Sequence, residues 1–279
     1  MIRFAQPGDE PGLMAVYNAC FPGEEGFCRW FFERIYRPQN TLLWQDGDIL
    51  AAVQLLPVRL TLGGHEVSAT YIYAAGTLPQ ERGKGLMGAL LERSFAVSGA
   101  RGDALSVLIT QEPSLVRYYA RFAYRPVFAR QEHIVAARPL PAGMTVRRMR
   151  QDDIPAAQAL YCMAHSGLCA VRAPAAWRVI LEQYGTKARV LERGGRVTAF
   201  ALVEAEDDCV TATEALGKDA PVLMAALAHA GKTADARWYG PARNAAEAAV
   251  NGCARPLNAE GASLLDTAAE FGYLNVLFN

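Results

Sequence analysis

A basic, glycine-containing segment, Gln80–Gly85, is the part of the sequence best suited to chemistry. It follows an apolar stretch typical of a strand and precedes a stretch with the apolar spacing of a helix. A strand that turns into a helix exposes the first amide groups of that helix, and these attract an anion together with the helix dipole. Gly83 and Gly85 let the backbone approach a phosphate closely, and Arg82 and Lys84 add positive charge. The segment predicts a phosphate-binding turn, although a surface turn with two basic residues explains the same residues about equally well.

Two other nucleotide-binding motifs fit this segment less well. A Walker A loop would need Gly at position 78 and Ser or Thr at position 85, where the chain has Leu78 and Gly85. The pattern Gly83-x-Gly85-x-x-Gly88, with Asp103 further on, has the spacing of a dinucleotide-binding fingerprint. That fingerprint requires its first glycine directly after the strand, but Pro79–Arg82 intervene here. Its acidic residue should also end the next strand, whereas Asp103 precedes it, so a dinucleotide-binding protein is the less favoured alternative.

Two motifs in order resemble those of the GNAT N-acetyltransferases. The segment Pro79–Met87 resembles the pyrophosphate motif of that family, Gln/Arg-x-x-Gly-x-Gly/Ala. The segment Arg117–Tyr124 resembles its second signature, an aromatic residue followed by Tyr-x-Lys/Arg-x-Gly-Phe, with Ala123 in the usual place of Gly. The resemblance covers about residues 2–137. It implies an acetyl-CoA-dependent N-acetyltransferase that acts on an amine of a small molecule or peptide, without a metal.

The second half of the chain resembles the first. Ile2-Arg3 aligns with Val146-Arg147, and Asp9, Pro11, Ala15 and Tyr17 align with Asp153, Pro155, Ala159 and Tyr161 at a constant offset of 144 residues. The segment Arg138–Gly143 opposes both helix and strand and is the best boundary. We therefore expect a catalytic domain over residues 1–140 and a degenerate GNAT-like domain over residues 144–279. This tandem layout is similar to the enhanced intracellular survival (Eis) acetyltransferases, without their usual third domain.

The resemblance also implies a set of site residues. One strand would face the pantetheine arm, the glycine turn would bind the pyrophosphate, and Tyr119 would be the general acid that protonates the leaving thiolate. For Tyr119 the alternative is core packing, and Ser114 could equally contact the cofactor or only start a helix. The second half has no glycine turn, so we expect one acetyl-CoA site per chain. The implied cofactor-binding residues are Ala75, Gly76, Thr77, Arg82, Gly83, Lys84, Gly85, Leu86, Met87 and Ser114.

The general base and the acceptor amine are not identified by the sequence. Glu24, Glu112 or a chain of waters could remove the amine proton. The Eis resemblance adds the terminal carboxylate of Asn279, while plain sheet packing of the preceding apolar residues is the favoured reading. An aromatic segment, Phe27–Tyr36, carries several acidic residues and could shape the acceptor pocket, with core packing at even odds.

The elements that must position these residues form a mixed α/β pattern, and we expect a mixed sheet with flanking helices. In the first half, we expect strands at 2–5, 41–45, 49–62, 67–78 and 104–110, a strand pair within 127–137, and helices at 11–19, 25–36, 85–98 and 113–121. In the second half, we expect strands at 188–191, 196–204, 209–215, 237–239 and 271–278, and helices at 154–164, 175–184, 220–230 and 244–249.

Composition favours a globular, cytoplasmic protein. Lys and Arg number 28, as do Asp and Glu, so nothing global attracts nucleic acid or an anionic membrane. Six scattered cysteines without a metal-ligand spacing suit reduced thiols. No stretch is typical of a signal peptide or a membrane span. A homo-oligomer is compatible with the sequence, and the competing function is a non-catalytic acyl-CoA-binding sensor.

Overall fold

The computed structural model describes residues 1–165, 167–205, 208–242, 246–268 and 272–275. Its strands and helices alternate along the chain, which confirms the α/β prediction. The strands are β1 (Ile2–Phe4), β2 (Thr41–Asp46), β3 (Asp48–Leu62), β4 (His65–Thr77), β5 (Leu105–Ile109), β6 (Arg125–Ala136), β7 (Met144–Arg148), β8 (Cys169–Ala170), β9 (Ala188–Arg193), β10 (Arg196–Ala205), β11 (Val210–Leu216), β12 (Asp235–Pro241) and β13 (Ala249–Pro256).

Most helices begin at a proline within their first turn, where the missing amide proton costs nothing and the fixed φ favours the helix. This holds for α1, α4, α5, α6 and α7. The helices are α1 (Glu10–Cys20), α2 (Glu25–Arg34), α3 (Leu86–Ala100), α4 (Pro113–Ala120), α5 (Ile154–Ala164), α6 (Pro174–Tyr184), α7 (Ala220–Gly231) and α8 (Ala259–Thr267).

The chain divides into two compact units that are not contiguous in sequence. The first unit contains residues 1–60, 65–127 and 252–267, and the second contains residues 61–64, 128–251 and 268–279. The chain thus leaves the first unit after Val127 and returns to it at Gly252. The boundary predicted at residues 140–144 separates the two copies of the sequence repeat, whereas the two units are defined by their compactness. The predicted boundary therefore stays a prediction.

The sheet of the first unit is mixed. Its strand order is β1-β2-β3-β4-β5-β13. The β4 and β5 strands pair in parallel, whereas β1–β2, β2–β3 and β5–β13 are antiparallel. Apolar side chains of α3, among them Leu90 and Leu91, pack against the strands in a core that also contains Tyr119 of α4.

The second unit repeats this plan with its own mixed sheet. Its strand order is β6-β12-β11-β10-β9-β7. The β11 and β12 strands pair in parallel, and the neighbouring pairs are antiparallel. Two apolar cores form, one around α7 with Leu223 and Met224, and one around Trp177 and Phe200.

Three of the predicted elements differ in the structure. The expected strand pair within residues 127–137 is one strand, β6, because the apolar alternation there is not broken by a turn residue. The helix expected at 244–249 is wrong for residues 246–249, which form a turn and the start of β13; residues 244 and 245 lie outside the described residues. Of the strand expected at 271–278, Gly272 and Tyr273 form isolated bridges, and residues 271 and 276–278 lie outside the described residues.

Two further features concern the environment of the chain. None of the helices within the described residues is long and apolar enough to cross a membrane. All six cysteines lie within the described residues, and each of them is a free thiol.

Candidate active site

The glycine turn is held by backbone geometry that favours glycine. After β4 the chain makes a short 3-10 turn at Pro79–Glu81, and Gly83 and Gly85 then adopt φ values of +80° and +81°. Gly85 is the N-cap of α3, so the amide groups of the first helical turn have no partner within the helix. An L side chain would be strained at both positive φ values. The turn therefore presents unpaired amide groups at a helix N-terminus, as the sequence predicts.

The two basic residues of the turn are placed differently. Arg82 lies over the end of β4, where its Nε donates to the carbonyl oxygen of Thr77 at 3.2 Å. Lys84 makes an exposed ion pair with Glu81 at 2.9 Å. Arg82 thus faces the turn, whereas the charge of Lys84 is directed to its neighbour.

The β4 strand separates from β5 before the turn is reached. Parallel pairing joins Ala69–Tyr71 to Leu105–Val107, and β4 then continues to Thr77. Ala74 has a φ of +47°, which breaks the regular pleat of β4 at this point. Gly76 lies against α1, where an added Cβ would come within 3.0 Å of Cys20 Sγ. The end of β4 therefore diverges from β5 and lies close to α1.

A cavity of about 580 Å³ opens at this divergence. Its walls come from β4, the glycine turn, the start of α3, the end of α1 and one face of α4. Nine of the residues implied by the resemblance line it, whereas Lys84 and Ser114 do not. The nine are Ala75, Gly76, Thr77, Arg82, Gly83, Gly85, Leu86, Met87 and Tyr119.

Tyr119 reaches the cavity from the core side of α4. Its side chain is 9% exposed, and its ring packs against Tyr118 and Tyr124 with centroid distances of 5.3 and 5.6 Å. Burial raises the pKa of its hydroxyl, so the group stays protonated at neutral pH. The hydroxyl makes no hydrogen bond to any described residue of the chain. Tyr119 is thus both a core residue and a protonated group at the cavity wall.

Comparison with known proteins agrees with this geometry. The sequence profile of the acetyltransferase (GNAT) domain family matches residues 1–127. Residues 1–127 are a GNAT acetyltransferase domain. This match supports an N-acetyltransferase activity for this domain. No curated protein matches the chain by sequence.

Solved structures with the same fold cover both halves of the chain. A probable N-acyltransferase from Enterococcus faecalis V583 superposes with a TM-score of 0.72 at 14% identity, covering 94% of this chain and 73% of that one. Eis1 from Mycobacterium abscessus gives 0.65 at 16% identity, covering 94% and 75%. N-myristoyltransferase from Saccharomyces cerevisiae with bound myristoyl-CoA gives 0.60 at 10% identity, covering 91% and 82%. At these identities the likeness establishes the fold.

The GNAT domain also contains a chain of hydrogen-bonded side chains that links Tyr73, Tyr17 and Glu24. The Tyr17 hydroxyl donates to Glu24 Oε2 at 2.8 Å, and the hydroxyl oxygens of Tyr17 and Tyr73 are 3.2 Å apart. Because the single hydroxyl proton of Tyr17 is directed to Glu24, Tyr73 is the donor in the second contact. Burial raises the pKa of both phenols, so both are neutral. Cys20 and Phe21, three and four residues after Tyr17, line the cavity, and Glu24 at the far end of the hydrogen-bonded chain is exposed.

Sequence reasoning missed part of the cavity wall. Cys20 and Phe21 carry no motif, and only the packing of α1 against β4 brings them there. Tyr118, Arg121 and Phe122 also line the cavity, and the second signature could have indicated them. Of the aromatic segment Phe27–Tyr36, Phe31 is fully buried and Tyr36 is 5% exposed, so these two are core residues.

Other candidates lie elsewhere. Glu112 is exposed at the N-cap of α4. Asn279 lies outside the described residues, so the terminal carboxylate stays a prediction. None of the four histidines lines this cavity.

Proposed function

We propose that the chain transfers the acetyl group of acetyl-CoA to a primary amine of a small molecule or peptide. The observation that carries this proposal is that the divergent end of β4, the glycine turn and Tyr119 line one cavity. The amide groups at the start of α3, with Arg82 beside them, suit the pyrophosphate of the cofactor. The myristoyl-CoA bound to the yeast neighbour of the same fold supports an acyl-CoA ligand.

The reaction requires a nucleophile, an oxyanion site and a proton donor. The neutral amine attacks the thioester carbonyl, and an amide group of the segment Ala75–Thr77 stabilises the oxyanion. When the intermediate collapses, the C–S bond breaks and Tyr119 gives its proton to the departing thiolate. The amine loses one proton, and the tyrosine regains one from solvent, so the products are an acetylated amine and free coenzyme A.

In this proposal, a protonated substrate first loses one proton through Tyr73 and Tyr17 to Glu24, which yields the neutral amine that attacks. Tyr73 accepts this proton while passing its own proton to Tyr17, which passes one to the Glu24 carboxylate. Glu24 is exposed and can release the proton to water. The raised pKa values of the two phenols mean that they act as neutral relays and not as phenolate bases. The free thiols fit a reducing compartment, and we place the reaction in the cytoplasm.

The test is a thiol-release assay with acetyl-CoA and a panel of polyamines, aminoglycosides and lysine peptides. The variant that tests the cofactor site is Gly85→Asp, which puts a carboxylate and a strained residue at the helix N-terminus. We expect coenzyme A binding to disappear in calorimetry while the circular dichroism spectrum is unchanged. Coenzyme A binding without thiol release for any acceptor would favour an acyl-CoA sensor, and unchanged affinity in Gly85→Asp would place the cofactor elsewhere.

A further inference from the structure

The second unit contains a counterpart of the strand and helix that form the acetyl-CoA site. Val210–Ala212 of β11 pair in parallel with Ala236–Trp238 of β12, as β4 pairs with β5 in the GNAT domain. The β11 strand then continues to Leu216, and α7 follows at Ala220, as α3 follows β4. Thus β11 and α7 occupy in the second unit the place that β4 and α3 occupy in the first.

A cavity of about 940 Å³ lies at this place, and we call it the second-unit cleft. It is lined by Ala215 and Leu216 at the end of β11, by Gly217 and Lys218, and by Ala220 at the start of α7. Its volume lies within the range of small-molecule sites, about 300–1,000 Å³. The second unit therefore has a cleft at the strand-to-helix position without having the glycine turn.

The second-unit cleft is not built for a pyrophosphate. Only Gly217–Asp219 connect β11 to α7, in place of the longer Leu78–Gly85 turn. The Asp219 carboxylate is at the N-cap of α7, bound to Arg193 at 2.9 Å, and it would repel a phosphate. The connection also passes close to β10, because a Cβ on Gly217 would lie 2.3 Å from the carbonyl oxygen of Thr198. A ligand of this cleft must therefore lack the diphosphate of coenzyme A.

Four aromatic side chains and two cations contribute to the walls of the cleft, and the other lining residues are aliphatic, small or neutral. His133 stacks on Trp238 at 5.0 Å, and His165 stacks on Tyr273 at 4.7 Å, with interplanar angles of 20° and 15°. All four residues line the cleft, together with Arg196 and Lys218.

The formally charged side chains that line the cleft within the described residues are all cationic. Both cations are exposed, and neither makes an ion pair with a described residue. Among the described residues that line the cleft there is no Asp or Glu. Flat rings favour a flat apolar ligand, and unpaired cations favour an anionic group on it.

We propose that the second-unit cleft binds an aromatic carboxylate, with the ring between the stacked side-chain pairs and the carboxylate at Arg196 and Lys218. This binding is independent of the acetyl-CoA site, because every residue that lines the cleft belongs to the second unit. The test can therefore fail or succeed without reference to acetyl transfer.

The experiment uses the full chain and 2-naphthoate as the probe, followed by calorimetry and by the fluorescence of the naphthalene ring. We expect saturable binding of one 2-naphthoate per chain, at least tenfold tighter than 2-naphthylmethylamine, which has the same ring and the opposite charge. Acetyl-CoA should not displace the probe, and Gly85→Asp should not change its affinity.

Charge reversal locates the site. The double variant Arg196→Glu, Lys218→Glu should weaken 2-naphthoate binding about tenfold or more, and both positions are exposed, so the fold should tolerate it. Arg178→Glu, at an exposed residue of α6 that does not line the cleft, is the matched control and should leave the affinity unchanged. The proposal is overturned by absence of saturable binding, by equal affinity for the amine, by displacement with acetyl-CoA, or by an unchanged affinity in the double variant.

Discussion

Tyr119→Phe separates general acid catalysis from packing. The substitution removes one hydroxyl and keeps the ring, which is 9% exposed and in contact with Tyr118 and Tyr124. The hydroxyl makes no hydrogen bond to a described residue, so its loss should change the free energy of unfolding by less than about 1 kcal/mol. General acid catalysis contributes about 10² to 10⁴ in rate, or about 3 to 5 kcal/mol of activation free energy. The turnover number should therefore fall by that factor while stability hardly changes.

The assay is steady-state thiol release with the best acceptor of the panel, together with coenzyme A titration and urea denaturation. Coenzyme A affinity should stay within about twofold, because the hydroxyl acts in the transition state and not in cofactor binding. Because burial raises the pKa of Tyr119, the acid stays protonated through the alkaline range, so the parent and the variant should show the same alkaline limb in the pH profile.

Tyr118→Phe is the matched control. It makes the same change one residue earlier on α4, in a ring that also lines the cavity but is packed below Arg121 at 5.7 Å. We expect near-parental turnover for it. If Tyr119→Phe itself turns over within about threefold of the parent, a change of less than about 1 kcal/mol, the general acid role is refuted and packing remains.

Three further predictions follow from the same structure. Glu24→Gln should lower kcat/KM about a hundredfold at pH 7, and less above pH 10 where a lysine-type amine is already neutral; Glu25→Gln is the control, and an equal loss at both pH values would contradict the relay. Arg172→Met should cost about 3–5 kcal/mol in urea denaturation, because it removes the cation that pairs with the fully buried Glu214 at 2.5 Å. Adding Glu214→Gln should recover part of this loss, and a loss below about 1 kcal/mol would contradict the prediction. Burial lowers the pKa of His165 to about 4 against an opposing effect of Glu214, so between pH 6.5 and 4 the unfolded state binds a proton that the folded state excludes. The free energy of unfolding should therefore fall by up to about 3 kcal/mol over this range, and His165→Phe should flatten its dependence on pH.

The sequence predicts the first half of the fold well because its elements have local signals. The apolar spacing of residues 86–98 matches the buried face of α3, and the start of α4 at Pro113 matches the preference of proline for a first helical turn. Likewise, most of the predicted cofactor residues line one cavity, since a strand, a turn and a helix that are adjacent in sequence form three of its walls.

The parts that were missed depend on contacts far apart in sequence. The alanine-rich residues before Gly252 favour a helix by propensity, but β13 pairs with β5, where a Cβ on Gly252 would lie 2.5 Å from the carbonyl oxygen of Leu108. Tertiary pairing overrides local propensity in such a strand. The α8 helix and the cavity residue Cys20 were missed for the same reason, because nothing within a short window of sequence marks where they pack.

The internal repeat has a physical basis that the sequence shows only weakly. Arg3 binds both carboxylate oxygens of Asp9 at 2.6 and 2.8 Å, and Arg147 binds both oxygens of Asp153 at 2.7 Å, at the constant offset of the sequence alignment. In each copy the backbone amide three residues before the aspartate donates to it at 2.7 Å. The arginine lowers the pKa of the carboxyl in both copies.

These two clamps hold the same strand-to-helix turn at the start of each copy. Arginine can donate to both oxygens of a carboxylate, and aspartate is short enough to accept from a backbone amide of the same turn as well. Few other residue pairs can do both, so these residues agree between the copies where most others differ. The glycine turn has no such role in folding: α7 starts directly after a three-residue connection, and the parallel pairing of β11 with β12 is kept without it. Phosphate binding is therefore separable from the architecture that supports it. This is why a chain can repeat the fold while we expect a single acetyl-CoA site, and why the second-unit cleft is free to accept a ligand of different chemistry.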